Sequence, residues 1–308
     1  MGLLFLLALG AILFVLSASA GTAWFLTHPP RRTLAWAVSR ALPADPSQLT
    51  QSRAFRSWTM PREGVVLHAW EMPGDRADGP TVILTHGWGD SRLGALARVP
   101  LACSLASSVI AWDLRGHGES SGVCTLGTHE VDDLLALIDQ IEPQQRARGI
   151  VLWGWSLGAG VGIVAAERLR AASASDAPSI RATIIESAYR HVHTPAANVL
   201  EARALPHRIN LPIALGAIGA WLGSRVGAGT RWRGFDRAHH AAALKSAIPT
   251  LVLHGSADIV CPIADAQEIA HAAGAQLAIV DGAGHNDLWT DATFARPAGE
   301  AVTQFLTP

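Results

Sequence analysis

The stretch Gly154-Trp155-Ser156-Leu157-Gly158 decides the fold, because its flanks restrict where such a pentapeptide can lie. A short apolar run, Ile150 to Trp153, precedes it and predicts a buried strand, and Leu157 to Arg170 follows with a helical pattern. A sharp strand-to-helix turn strains its central residue and leaves no room for neighbouring Cβ atoms, so glycines flank it. We therefore predict that Ser156 stands on such a turn as an exposed nucleophile.

A serine hydroxyl is a weak nucleophile unless a histidine removes its proton and an acid orients that histidine. After a turn of this kind, the acid and then the histidine follow the serine along the chain. Asp258 comes shortly after the apolar run Thr250 to His254, and His285 lies in a glycine-containing loop near the end. We predict a catalytic triad of Ser156, Asp258 and His285. Glu186, at the end of an earlier apolar run, is the alternative acid.

Two backbone N–H groups are needed to stabilise the oxyanion that forms when a serine attacks a carbonyl. Leu157, the residue after the nucleophile, is expected to supply one of them. The loop after the run Thr81 to Thr85 reads His86-Gly87-Trp88-Gly89-Asp90, and from it we predict Trp88 as the second donor. We expect His86 to hold this loop open by hydrogen bonding rather than to act as a second base.

The remainder of the chain repeats the order strand, turn, helix. Short apolar runs alternate with helical patterns such as Thr128 to Ile141. This alternation predicts an α/β fold whose mostly parallel, doubly wound sheet is covered by helices on both faces. Strands are expected at Gly64–Trp70, Thr81–Thr85, Val109–Asp113, Ile150–Trp153, Ala182–Glu186, Thr250–His254 and Gln276–Val280.

Residues 188–248 interrupt the alternation, since connections between such elements usually have about 4–6 residues. They contain an apolar helical stretch, Ile213 to Leu222, and then a glycine- and arginine-rich piece, Gly223 to Gly234. We predict a helical cap inserted into a hydrolase domain that spans residues 55–308. A second membrane helix is the alternative, but Ile213 to Leu222 is too short to cross a bilayer, which takes about 20 residues.

The N-terminal segment is the most apolar part of the chain. Gly2 to Leu26 contains no Asp, Glu, Lys or Arg, and at about 1.5 Å per residue it can cross a hydrocarbon core of roughly 30 Å. We predict a transmembrane anchor at residues 1–27 and a juxtamembrane linker at 28–54. A cleaved signal is the alternative, because Ala18-Ser19-Ala20 resembles a cleavage site, and the chain would then be secreted or periplasmic.

The positive charge near this segment lies after it, at Arg31, Arg32 and Arg40, and none precedes it. The positive-inside bias then predicts that the membrane-anchored catalytic domain faces the cytoplasm. The formal net charge is −1, which leaves no basic stripe for a nucleic-acid partner. The three cysteines are odd in number and form no CxxC pair, so we expect free buried thiols at Cys103, Cys124 and Cys261.

Two histidine pairs, at 191 and 193 and at 239 and 240, have no nearby carboxylate or cysteine to complete a ligand set, so we expect no metal there. The loop from Asp113 to Ser120 could also be read as catalytic. We instead expect Asp113 and Arg115 to brace it, because it follows a different strand from the nucleophile.

As a set, these motifs resemble the α/β-hydrolase superfamily over about Thr81 to Leu306. Within it, the chain resembles the monoglyceride-lipase, serine-aminopeptidase-like and Bem46-like branch. The resemblance implies a serine hydrolase that cleaves an ester, thioester or amide through an acyl-enzyme, with no metal and no organic cofactor. The motifs are His86-Gly87-Trp88, Asp113-Leu114-Arg115-Gly116-His117-Gly118-Glu119-Ser120, Gly154-Trp155-Ser156-Leu157-Gly158, His254-Gly255-Ser256-Ala257-Asp258 and Gly284-His285.

Three functions stay open at this point. A membrane anchor with an apolar cap favours a small-molecule acyl ester, including lipid-derived ones, and hence a carboxylesterase or lipase-like enzyme. An aminopeptidase needs an anionic pocket for the substrate amine, for which Glu201 and Asp236 are available. A hydrolase-fold binding protein without turnover is the third, and an intact triad argues against it.

Overall fold

The computed structural model describes residues 2–172, 179–226 and 236–307. Within them a single sheet forms the centre of the fold. Its strands are β1 (Arg56–Arg62), β2 (Val65–Pro73), β3 (Thr81–Thr85), β4 (Ser108–Trp112), β5 (Ile150–Trp155), β6 (Ile180–Glu186), β7 (Thr250–Gly255) and β8 (Gln276–Val280). Their order is β1-β2-β4-β3-β5-β6-β7-β8. The two pairs that involve β2 are antiparallel. The other five neighbouring pairs, which lead from β4 through β3 to β8, are parallel.

The parallel strands are apolar runs because helices cover both faces of the sheet. Every residue of β3, β4, β5 and β7 is buried. The six predicted parallel strands are all confirmed, each within two residues of its expected bounds. Strand β1 was not predicted, because Pro61 and two arginines obscure its pattern. Proline is tolerated there because β1 lies at the edge of the sheet.

The helices follow the strands in the order expected for a doubly wound sheet. Helix α6 is buried at ten consecutive positions, Leu157 to Ala166, since it packs between the sheet and the neighbouring helices α4 and α9. The helices are α1 (Gly2–Thr27), α2 (Leu34–Val38), α3 (Val99–Leu105), α4 (His129–Asp139), α5 (Pro143–Ala147), α6 (Leu157–Ala171), α7 (His193–Ala202), α8 (Asn210–Val226), α9 (Arg237–Ala242), α10 (Ile263–Ala273) and α11 (Ala292–Leu306).

The predicted cap segment, residues 188–248, contains α7, α8 and α9. The apolar stretch predicted at Ile213 to Leu222 belongs to α8, which is longer at 17 residues. The described residues omit 227–235, and with them most of the glycine- and arginine-rich piece, Gly223 to Gly234. Helix α8 packs against α7 and, over a larger area, against α1, so the cap segment and the N-terminal helix are neighbours.

Helix α1 is 26 residues long, and its most apolar window has a mean hydropathy of 2.6. By length and composition it could cross a membrane, although a signal sequence would meet the same criteria. Its first half is exposed to solvent, whereas Ser19, Thr22, Leu26 and Thr27 are buried. Only the C-terminal part of α1 therefore packs against the rest of the protein.

The segment after α1 lies against the sheet domain rather than apart from it. The carbonyl of Thr27 accepts a hydrogen bond from the Cys124 amide at 2.9 Å. Arg31 donates to the carbonyl of Ser120 at 2.8 Å, and Arg32 forms an ion pair with Asp90 at 3.0 Å. These bonds hold the end of α1 close to the loops that follow β3 and β4.

Candidate active site

The order of the strands creates a crevice between β3 and β5. The chain continues from β3 to β4 on one side of β3, and then returns to place β5 on its other side. Ligands of doubly wound sheets bind at the carboxyl ends of strands where the direction of winding reverses. Ser156 follows β5 at this point, and the loop His86 to Asp90 follows β3.

Ser156 occupies the turn that the sequence predicts, with φ of 53° and ψ of −114°. This backbone conformation is strained for any residue with a Cβ atom, and such strain is typical of functional sites. A Cβ atom on Gly158 would lie 2.0 Å from the carbonyl oxygen of Thr85, and one on Gly154 would lie 2.3 Å from the carbonyl oxygen of Gly158. Both glycines are therefore required for the close approach of β5, α6 and the end of β3.

Three predicted site residues form one chain of hydrogen bonds. The Nε2 atom of His285 lies 3.1 Å from Oγ of Ser156, and its Nδ1 atom lies 2.8 Å from Oδ2 of Asp258. The other carboxylate oxygen of Asp258 accepts the amides of Val260 at 2.9 Å and Cys261 at 2.8 Å. The Asp258 carboxylate is thus held in place by its own loop, and it in turn orients the imidazole towards the serine.

Glu186, the alternative acid, has other partners. Its carboxylate is fully buried and bonds the guanidinium of Arg98 at 2.5 Å. It also accepts the indole N–H groups of Trp153 at 2.5 Å and Trp289 at 2.9 Å. All of these contacts stabilise the protein interior, and the acid bonded to His285 is Asp258.

The predicted oxyanion donors, Trp88 and Leu157, both line the pocket that contains Ser156. Within the described part of the chain, neither of their backbone N–H groups donates to another protein group. The loop comes so close to the nucleophile that a Cβ atom on Gly87 would lie 3.0 Å from Cβ of Ser156. Two amides are therefore free to bind an oxygen atom beside the serine.

His86 holds this loop, as its sequence position suggests. Its Nε2 atom accepts the amide of Leu114 at 3.0 Å, so Nδ1 carries the proton and donates to the carbonyl of Gly87 at 2.7 Å. Complete burial lowers the pKa of His86 to about 3, which keeps the ring neutral. The ring of His117 lies 5.0 Å away, and burial likewise lowers its pKa to about 3.

The loop after β4 is braced by two ion pairs. Asp113 bonds Arg92 and accepts the amide of Glu119 at 2.9 Å, and burial raises its pKa to about 6. Arg115 bonds Asp133 through two 2.7 Å hydrogen bonds. Both residues therefore brace the loop, each through a partner on another element.

A cavity of about 240 Å³ opens above Ser156. One side consists of the loops after β3 and β5, and α7 forms another side. The end of α1 forms the third side, with Phe25 and Leu26. The sequence did not predict this contribution, because a helix that is apolar all round does not indicate which of its faces lines a site. The predicted amine-binding residues Glu201 and Asp236 do not line this cavity, and Asp236 is paired with Arg190 at 2.7 Å.

The residues described also include one set that could bind a metal ion, formed by Asp258, Cys261 and His285. Two of these side chains belong to the hydrogen-bonded chain that ends at Ser156, and that arrangement fits proton transfer directly. The three cysteines are free and buried, as the sequence predicts. Burial raises the pKa of the Cys261 thiol well above its usual value, which disfavours the thiolate that a metal would need.

Several solved structures share this architecture. An esterase from Pyrococcus furiosus superimposes with a TM-score of 0.65 at 20% identity, over 91% of this chain and 97% of that one. A bacterial membrane phospholipase A superimposes with a TM-score of 0.57 at 17% identity, over 99% and 96%. The thioesterase domain from the curacin biosynthetic pathway gives a TM-score of 0.52 at 18% identity, over 81% and 100%. At these identities the similarity establishes the fold.

Sequence comparison gives a family but no individual relative. No curated protein sequence matches the chain. The profile described as the alpha/beta hydrolase family matches residues 82–298, which is more than half of the chain and includes Ser156, Asp258 and His285. The predicted α/β-hydrolase fold with its mostly parallel sheet is thereby confirmed, and the chain belongs to the alpha/beta hydrolase family.

Proposed function

We propose that this protein is a serine hydrolase that cleaves carboxylic esters or thioesters through an acyl-enzyme on Ser156. One observation carries the proposal. A continuous hydrogen-bond chain runs from Asp258 through His285 to Ser156, at the base of a largely apolar cavity. Such a chain activates a hydroxyl group that is otherwise a weak nucleophile.

The proposed reaction has two halves. His285 accepts the proton of Ser156 as the hydroxyl oxygen attacks the substrate carbonyl, and Asp258 stabilises the resulting imidazolium. The amides of Trp88 and Leu157 stabilise the oxyanion of the tetrahedral intermediate. His285 then gives its proton to the leaving alcohol or thiol. In the second half, His285 activates a water molecule, which attacks the acyl-enzyme and releases the acid.

The lining of the cavity favours an acyl chain over an amino group. Phe25 and Leu26 of α1 face Val199 and other apolar residues of α7 across it. Neither Glu201 nor Asp236 is placed to bind a substrate amine, so we favour a carboxylesterase or lipase-like enzyme over an aminopeptidase. This preference agrees with the resemblance of the motifs to the monoglyceride-lipase and Bem46-like branch.

We also propose the domain arrangement and the location of the protein. Residues 1–27 are a single membrane anchor, 28–54 connect it to the hydrolase domain at 55–308, and 188–248 form the cap within that domain. Arg31 and Arg32, which follow α1, bond the sheet domain, and by the positive-inside bias their position after α1 favours a cytoplasmic catalytic domain.

The full chain in detergent provides the test, with a fluorophosphonate probe and a series of p-nitrophenyl esters. We expect the wild type to be labelled and the Ser156→Ala variant to remain unlabelled. We expect kcat/KM to rise from acetate to longer acyl chains, because longer chains fill the apolar cavity. Folded wild-type protein that is not labelled would support a binding protein instead. Faster release of aminoacyl naphthylamides than of esters would support an aminopeptidase.

A further inference from the structure

The cap segment has a second apolar surface beside α1. Helix α8 buries one side, including Leu211, Leu215 and Leu222, but its exposed side is also apolar. A helix side that faces water normally carries polar residues. We call this surface the cap face, and it consists of Leu205, Ile209, Pro212, Ile213, Ala217 and Ala220.

The exposure of the cap face is large. Ile209 is 66% exposed, and Leu205 and Ile213 are 43% and 42% exposed. Leu205 and Ile209 lie in the connection that leads into α8, and Ile213 lies in the first turn of that helix. This part of the cap face runs alongside the exposed half of α1, because the segment from Ala204 to Asn210 lies across a groove from Phe14, Val15 and Ala18.

One polar contact fixes the cap face to α1. The side-chain amide of Asn210 donates to Oγ1 of Thr22 at 2.5 Å, and both residues are buried. Since Phe14 and Thr22 are eight residues apart on one helix, the groove extends about 12 Å along α1 from this contact. The cap face therefore has a defined height relative to any membrane that α1 crosses.

For a bilayer that α1 crosses, that height falls close to the membrane interface. A hydrocarbon core of roughly 30 Å takes about 20 residues of helix, and α1 becomes buried against the protein from Ser19 and Thr22 onward, so a span over its exposed part ends near Gly21. The residues of α1 beside the cap segment, Phe14 to Ala18, are then about 5–10 Å inside that limit. A protein surface at this depth is mainly apolar, as the cap face is, and the long side chain of Arg208, which lines the same groove, can extend towards the headgroups.

The charges around the cap face suit an anionic membrane. Between residues 202 and 223 the chain has Arg203 and Arg208 and no Asp or Glu, and Glu201 lies just before this stretch. Arg203 and His207 stand next to the cap face, together with Arg208. Basic residues at the edge of an apolar surface bind the headgroups of anionic lipids.

The same geometry brings the cavity to the membrane. Phe25 lies one turn beyond Thr22 on α1 and lines the cavity above Ser156, and the guanidinium of Arg203 lies 5.0 Å from the centre of its ring. We propose that the cap face lies in the interfacial layer of the anionic bilayer that holds α1, so that the substrates are acyl esters already dissolved in that bilayer. The location rests on the proposed anchor, and the substrate class rests on the proposed hydrolase activity.

Fluorescence in vesicles tests the location without relying on activity. The native cysteines are buried, so an environment-sensitive label can be attached at a single introduced thiol in Leu9→Cys, Ile213→Cys or Ile279→Cys. The vesicles contain phosphatidylcholine, phosphatidylglycerol and a nitroxide-bearing lipid. We expect the lipid nitroxide to quench the labels on α1 and on the cap face. The label at Ile279, which is similarly exposed at 45% on β8, should respond to aqueous iodide instead.

The three labels separate the possible failures. If the label at Leu9 is quenched by lipid but the label at Ile213 is quenched by iodide, α1 is an anchor and the location proposed for the cap face is wrong. If neither quencher reaches the label at Ile213, a second copy of the chain covers the cap face and the membrane contact is overturned. An aqueous label at Leu9, or its loss by cleavage, overturns the anchor as well.

Activity tests the substrate class. In the full chain in vesicles, Ile213→Asp should slow hydrolysis of long-chain esters dissolved in the bilayer by about fivefold, because a carboxylate is disfavoured near the interface. Hydrolysis of dissolved p-nitrophenyl acetate should not change, since Ile213 does not line the cavity. Ile279→Asp serves as the control and should change neither rate. Equal effects of Ile213→Asp on both substrates, or no effect, would overturn the proposal, whereas a wild type inactive on both esters would overturn the hydrolase function itself.

Discussion

The cavity above Ser156 has two walls of different construction. The sheet wall consists of the loops after β3, β5, β7 and β8, where glycines and buried hydrogen bonds fix each group. The helix wall consists of the end of α1 and of α7, and its surface towards the cavity is mainly apolar. Chemistry requires fixed distances between polar atoms, whereas acyl-chain binding requires only apolar area. The two functions can therefore change independently.

The most severe test of the sheet wall is Gly158→Ala. The new Cβ atom would lie 2.0 Å from the carbonyl oxygen of Thr85, and backbone atoms on a buried strand cannot move away. We expect the free energy of unfolding to fall by more than about 4 kcal/mol, with little folded protein obtained. Denaturant unfolding measures this change.

Gly162→Ala is the matched control on the same helix. Its Cβ atom would meet only the Cβ atom of Leu152, at 3.9 Å, which is an ordinary contact. A gain of about 0.4–1 kcal/mol is expected, because alanine loses less backbone entropy than glycine on folding. The constraint at Gly158 would be refuted by a Gly158→Ala variant as stable as Gly162→Ala.

Asp258→Asn should reduce kcat by about 10⁴-fold, because an amide cannot stabilise the imidazolium of His285 and favours the wrong tautomer. We expect the thermal unfolding temperature to change little. Glu186→Gln is the comparison, since Glu186 bonds Arg98 and two tryptophans in the interior. That variant should lose stability rather than kcat. The reverse pattern would make Glu186 the catalytic acid.

The loop after β3 in the sheet wall, together with the loop after β4 that packs against it, should also respond to acid. The folded-state pKa of His86 and of His117 is about 3, below the usual value of 6.5, so the unfolded chain binds more protons as the pH falls below 6.5. Asp113 acts in the opposite sense, because its pKa of about 6 in the folded state exceeds the usual 3.8. Over these three groups the unfolded chain binds about one proton more than the folded chain. The free energy of unfolding should therefore fall by about 1.4 kcal/mol per pH unit from pH 6 to 4. Denaturant unfolding at pH 6, 5 and 4 measures this fall, and a level or rising stability would contradict it.

A change in the helix wall should have the smallest effect and alter only substrate preference. Phe25→Ala removes a ring that lines the cavity, and we expect kcat/KM for long acyl esters to fall about tenfold while that for acetate is unchanged. Trp24→Ala is the control, since that ring is 65% exposed, is stacked on His28 and lies outside the cavity. An equal loss for acetate and long esters would show that the walls do not act separately.

The central sheet and the order of the site residues could be predicted from the amino-acid sequence alone. Buried parallel strands are short apolar runs, and a strained turn needs glycines at fixed positions. Both signals are local, so they can be read along the chain at Ile150 to Gly158. The edge strand β1 was missed because a strand of that kind need not be apolar throughout.

Which distant groups meet could be seen only in the folded protein. Asp258 lies 2.8 Å from His285, whereas Glu186 forms an ion pair with Arg98. These pairings depend on which loops come together in space and not on the local sequence pattern. The fold also brings Phe25 to the cavity. A helix that is apolar on every side contains no sequence signal for the direction it faces, so the packing of α1 against α8 had to define that wall.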